Sequence, residues 1–168
     1  MDATADELAG VVDLFGGLTP TELERALSEV AFRADGQSVD AEAATAAVEA
    51  ALDSFALVRY ETEAVAADEP LLVAGPTAFP SIPEHAEDLP HILDVDRRRL
   101  DREALGEAAR ERFVDAVEAA LDAGDVDRAR TLLDASYDLE AWAPLDLAAE
   151  RERLERGLGA DDGAEGVA

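Results

Sequence analysis

Four prolines, Pro76, Pro80, Pro83 and Pro90, fall within one stretch, PTAFPSIPEHAEDLPHILDVDRRRLD, residues 76–101. Proline locks φ and lacks a backbone N–H, so such a run stiffens the chain and punctuates regular structure. It divides the molecule into an N-terminal module over residues 1–76, an ordered Pro-rich connector over 77–100 and a helical module over 101–158. A disordered acidic tail is expected over 159–168. The connector carries Phe79, Ile82, Leu89, Ile92 and Leu93, which give it apolar groups to bury against its neighbours. A chain of 168 residues suits one domain or two small ones.

Three helices open the first module. Thr4-Ala5-Asp6-Glu7 and Thr19-Pro20-Thr21-Glu22 both match a capping box, a Thr N-cap with Glu at N3, and Pro20 suits the first helical position. Leu8, Val11, Val12 and Phe15 then share one helical face, as do Leu23, Ala26, Leu27 and Val30. A third helix follows Asp40 and is expected to bury Ala44, Ala47, Val48, Ala51, Leu52 and Phe55. The period then shortens: LVRY (57–60) and LLVA (71–74) are β-prone runs joined by ETEAVAADEP, a pattern that predicts a hairpin. The order helix, helix, helix, strand, strand resembles a winged helix, confined to residues 1–76.

Beyond Asp101, Leu105, Ala109, Phe113, Val117 and Leu121 form the stripe of a long helix. Ala123-Gly124-Asp125 ends it, and Asp125 caps a second helix that carries Val126, Ala129, Leu132, Leu133 and Tyr137. A last amphipathic helix is expected over about 145–157. The fold class read from this pattern is mainly α with a small β-hairpin (α+β), a winged-helix-like N-terminal module joined to a C-terminal helical hairpin or bundle.

The charge narrows the habitat. Asp and Glu number 40 against 14 basic residues, all arginine, for a net charge of −26. The excess is spread evenly: residues 1–76 carry 16 acidic and 3 basic residues, and 77–168 carry 24 and 11. An acidic tail or nucleic-acid mimic concentrates its charge, whereas even spreading suits a surface kept hydrated in molar salt, where screening extends only about 3 Å. Much of the 48% hydrophobic content is alanine and only 5% of residues are aromatic, so thin side chains and closely packed helices are expected. The absence of cysteine rules out a disulfide framework and a thiolate metal site. MDATADELAG has neither a basic n-region nor an apolar h-region, and no run approaches the roughly 20 apolar residues of a membrane span. The expectation is a soluble, cytoplasmic protein with no membrane partner.

TADELAGVVDLFGGLT (4–19), LLVAGPTAFPSIPEHAEDLPHILDV (71–95) and SYDLEAWAPLDL (136–147) together resemble one haloarchaeal family of uncharacterised proteins, a domain of unknown function covering nearly the whole chain. That resemblance implies a cytoplasmic haloarchaeal protein and brings no catalytic residues with it.

Candidate sites are few. His85 and His91 lie among Glu84, Glu87, Asp88, Asp94 and Asp96 and are weak metal-ligand candidates; on a helix, positions six apart point about 120° away from each other. Capping of carbonyls or plain surface exposure explains them better. Arg97, Arg98, Arg99 and Arg102 form the one basic cluster, a candidate for anions or nucleic acid, yet Asp94, Asp96, Asp101 and Glu103 interleave with them and favour local ion pairs. Asp40, Glu42, Thr45, Glu49 and Asp53 line the outer positions of the third helix, where a DNA reader needs Arg, Lys, Asn or Gln. Trp142 is the single tryptophan, either a partner anchor or a plug between helices. No nucleophile elbow or glycine-rich phosphate loop is present, and no cofactor is expected. The leading expectation is a non-enzymatic protein-interaction or regulatory module, with an unknown protein partner or self-association. The alternative is a winged-helix nucleic-acid-binding transcriptional regulator, and a small metal-dependent enzyme comes third.

Overall fold

A computed structural model of the chain describes residues 3–36, 38–61 and 69–165. The element order is α1 (Ala5–Leu14), α2 (Pro20–Asp35), α3 (Ala41–Asp53), β1 (Leu57–Tyr60), β2 (Leu71–Ala74), α4 (Leu89–Leu93), α5 (Arg102–Ala123), α6 (Val126–Trp142) and α7 (Ala148–Glu165). The class is α+β, mainly helical with one two-stranded antiparallel hairpin among the described residues. Two compact units meet at the Asp101–Arg102 bond. The segment 77–100 lies within the first of them.

The caps form as their spacing dictates. Thr4 Oγ1 accepts the Glu7 amide at 3.1 Å, and Thr19 and Glu22 close a full capping box at 3.2 and 2.9 Å. Asp40 Oδ1 accepts the Glu42 amide at 3.0 Å, and Asp125 Oδ1 that of Arg128 at 3.0 Å.

Within the first unit, α1 is the centre of the core. Leu8, Ala9, Gly10, Val11 and Val12 are five consecutive buried residues, so the helix is covered on every side and not on the single face its pattern predicts. It packs on α2, α3, β1 and β2. β1 and β2 pair in register Leu57↔Ala74 through Tyr60↔Leu71, and Leu18 bridges to Leu72 on the free edge of β2 (N···O 2.7 and 3.0 Å). Most of the expected β-hairpin connector, residues 62–68, lies outside the described residues. α3 buries Ala51 and Leu52, followed by Phe55, but Ala44, Ala47 and Val48 are only half-buried.

The remaining side of α1 is covered by residues 77–100, which act as a strap. At one end, the Ser81 amide donates to Asp6 O (3.0 Å) and the Phe79 amide to Asp6 Oδ1 (3.0 Å). At the other, the Arg98 amide donates to Phe15 O (2.7 Å). Gly10 and Gly16 make this approach possible: a Cβ at either would stand 1.9 Å from Ser81 O and 2.0 Å from Arg98 O. Ala86 and Leu89 are the strap's fully buried apolar groups. The expectation that Phe79 and Ile82 are buried is corrected here: they are 82% and 52% exposed. Phe79 and Ser81 spend their amides on Asp6, and that anchorage leaves both apolar side chains on the solvent side.

In the second unit, α5, α6 and α7 pack pairwise around Leu105, Ala109, Phe113, Val117, Leu132, Leu139, Leu147 and Leu154. The inner stripe of α6 runs through Ala129, Leu132, Ala135, Ser136 and Leu139. Of the other large apolar groups on α6, Tyr137 is 55% exposed and Leu133 half-buried. Ala129, Ala135 and Ser136 on that stripe leave room for the close helix packing that the alanine-rich composition predicts. α7 begins at Ala148, where Asp146 Oδ1 accepts its first amide (3.0 Å), and continues to Glu165, past the expected end near 157 and into the segment read as an acidic tail.

Candidate functional site

The arginine cluster is divided among three tasks. Arg97 Nη1 donates to Asp13 O (3.2 Å) and Leu14 O (3.4 Å) in the last turn of α1, where a cation complements the negative end of the helix. Arg98 reaches Glu22 in a fork, Nη1 to Oε1 at 2.7 Å and Nη2 to Oε2 at 3.1 Å, and Nη1 also donates to Gly17 O at 2.9 Å. Arg102 places its guanidinium 5.1 Å from the centroid of the Trp142 ring. Arg99 is exposed and makes no contact of these kinds with a described residue. Two sequence candidates, the basic residue Arg102 and the half-buried Trp142, thus satisfy one another within the second unit.

Glu22 is the electrostatic centre of the first unit. Burial by itself pushes its carboxyl up, but the hydrogen bonds from Arg98 and the Thr19 amide, with the Arg98 charge, outweigh burial and leave it below its ordinary value. In the second unit, hydrogen bonds from Arg151 and the Leu147 amide (2.9 Å) hold Glu140 below its ordinary value against the opposing effect of burial. Arg151 also stacks 4.7 Å over the Tyr137 ring. Sequence marks Glu22 only as the N3 residue of a capping box and does not mark Glu140; the arginine that each carboxylate holds is brought to it by the fold.

His85 and His91 are both exposed, His85 at a positive φ of 73° and His91 in the short helix α4. Among the described residues no group of three or more His, Asp or Glu side chains is placed to hold a metal ion. Arg33 is paired with Glu29 (3.3 Å) and Arg59 with Glu49 (3.5 Å), so these two arginines of residues 1–76 are shielded by acids. No described helix is long and apolar enough to cross a membrane.

Three apolar side chains remain in contact with solvent in the first unit. Phe79 and Ile82 stand out from the strap, and Phe32, 66% exposed, stands on the outer face of α2. Beside Phe32, a groove of about 700 Å³ opens between α2 and α4, lined by Arg25, Ser28, Glu29, Phe32, Ile92 and Leu93 among others. Sequence periodicity signals Phe32 weakly: it falls off the stripe Leu23, Ala26, Leu27, Val30, all of which are buried.

No curated protein and no solved structure matches the chain. A family model does, over residues 6–159, which takes in nearly all of α1 through most of α7. The chain therefore belongs to the family of unknown function DUF7109.

Proposed function

We propose that this protein is a non-enzymatic interaction or regulatory module of the salt-rich cytoplasm of a halophilic archaeon, and that it engages a protein partner through Phe79 and Ile82. The observation that carries this reading is the exposure of that pair, 82% and 52%, on a segment whose backbone is held by Asp6 and stiffened by Pro76, Pro80 and Pro83. A preorganised aromatic loses little entropy on docking, and burial of apolar surface retains its strength in salt where exposed ion pairs are screened. The partner's chemistry follows: an apolar pocket wide enough for an aromatic ring.

Residues 1–76 keep the helix, helix, helix, strand, strand order of a winged helix, which suits a regulatory role. Against DNA reading stand the acidic outer positions of α3 and the pairing of Arg33 and Arg59 with glutamates. Evenly spread carboxylates at net −26, with no lysine, support the halophilic habitat.

The test is affinity capture from a haloarchaeal extract in molar KCl, using wild type and Phe79→Ala in parallel, with mass-spectrometric identification. A specific protein retained by wild type and lost with the variant is the expected result. Retention of specific DNA in molar KCl, with no protein dependent on Phe79, overturns it in favour of the nucleic-acid-binding regulator.

A further inference from the structure

We infer that the docking epitope of the strap extends to His85, and that the partner's pocket is rimmed by an arginine that stacks on this imidazole. The inference rests on the reading of Phe79 and Ile82 as a protein-binding pair and deepens it. Three described residues other than glycine adopt a positive φ: Phe55 (64°), His85 (73°) and Asp94 (52°). Such backbone is uncommon outside glycine and persists only where something else offsets its cost. For Phe55 the offset is a side chain buried in the first unit. Asp94 is the left-handed cap that ends α4. His85 has no such offset within the fold, because its side chain is exposed and makes no hydrogen bond or ion pair with a described residue. The turn that holds it is nevertheless fixed. The Ala86 amide donates to Pro83 O (3.1 Å), so His85 is the third residue of a four-residue turn, where a positive φ ordinarily calls for glycine. Pro83 and Ala86, which flank Glu84 and His85, are both buried. The imidazole is therefore held out from the strap, three positions beyond Ile82, and loses little entropy on contact.

The charge around His85 selects the partner's chemistry. No arginine lies between Arg59 and Arg97, while Glu84, Glu87 and Asp88 are exposed close to His85 in the chain and make no ion pair with a described residue. In molar salt, screening over about 3 Å leaves only charges in direct contact effective, so the complementary cation must touch this turn. A guanidinium suits both neighbours at once, since its flat face stacks on a ring while its N–H groups fork to a carboxylate. Arg151 does this within the second unit, lying 4.7 Å over the Tyr137 ring and forking to Glu140. A second copy of the chain is not the occupant, because each copy carries −26 and repels its like.

Stability and capture, measured together on the full chain, test the assignment. His85→Gly relieves the left-handed backbone, so its folded-to-unfolded ratio in molar KCl should rise about twofold or more over wild type. The same variant should lower capture of the Phe79-dependent protein from haloarchaeal extract at least about tenfold, because a ring at the contact is lost. His85→Asn tolerates the turn but offers no ring face, and capture should fall with it as well. Treating the extract with phenylglyoxal, which modifies arginine, and quenching it before capture should abolish retention. Capture lost with Phe79→Ala but unchanged with His85→Gly overturns the role of His85 and leaves the strap reading standing. Capture indifferent to Phe79 overturns both. A His85→Gly protein no more stable than wild type also overturns the inference, since the imidazole then serves the fold. Retention that survives phenylglyoxal overturns the arginine rim.

Discussion

Arg98 and Glu22 lie 76 positions apart and meet in a two-pronged ion pair, 2.7 and 3.1 Å, with only 17% and 19% of their side chains exposed. The pair ties the end of the strap to the first turn of α2, and the same carboxylate closes the capping box with Thr19. One glutamate thus serves a local cap and a distant crosslink together. Arg98→Ala leaves a partly buried carboxylate without its counter-ion and is expected to cost about 3 kcal/mol, read by denaturant unfolding in high salt. Arg98→Lys should recover only part of this loss, since an ammonium cannot reproduce the fork.

Acid sensitivity follows from the same residues. Glu22 and Glu140 are held below the ordinary glutamate value of 4.5. A carboxyl depressed in the fold stabilises above its unfolded value, and that contribution is lost as pH falls through the lower folded value. Stability should therefore decline below about pH 4.5, and Arg98→Ala should flatten the Glu22 part of that decline. Thermal unfolding across an acid series, wild type against variant, measures the difference. An unchanged slope in the variant contradicts this account of Glu22.

Gly10 is where the strap lies closest to α1. A methyl group there meets Ser81 O at 1.9 Å, so Gly10→Ala must lift the strap or displace the helix. The expected cost is about 1–3 kcal/mol, the usual range for overpacking. Amide hydrogen exchange should show faster exchange at Ser81 and Phe79, whose amides bond to Asp6, before any change in β1 and β2.

Trp142 reports on its own contact. The chain has one tryptophan, and the Arg102 guanidinium covers its ring at 5.1 Å. Arg102→Ala should shift the fluorescence emission to the red as the ring meets water, with a stability loss of only about 0.5–1 kcal/mol. Emission identical to wild type would place the ring elsewhere.

Salt dependence is the broadest expectation. Forty acidic residues repel one another over about 10 Å at 0.1 M salt but only about 3 Å at 1 M. Dialysis from molar KCl to low salt should lower the midpoint of thermal unfolding. A midpoint independent of salt contradicts the halophilic reading.

Most of the elements, though not α4 within the Pro-rich segment or the last turns of α7, are legible in the sequence because the forces that make them are local. Thr4, Thr19, Asp40 and Asp125 cap helices through amides two or three residues away, and the shortened period of LVRY and LLVA marks the hairpin. Composition likewise determined the net charge of −26 and the reliance on thin alanine packing. Only the tertiary structure decided which residues the strap buries and which it exposes. Leu89 and Phe79 are both apolar residues of one Pro-rich segment, yet one is fully buried and the other 82% exposed. Their fates depend on Asp6, Gly10 and Gly16, more than 60 positions away, which set where the strap's backbone rests on α1. The same distance hid the partner of Arg98: nearby aspartates offered it charge, but Glu22 offers a carboxylate already fixed by its own cap and shielded from water. Spacing along a chain records which residues share a helix face. Which faces meet is decided by the packing of elements far apart in sequence, where burial and hydrogen bonding are shared among them.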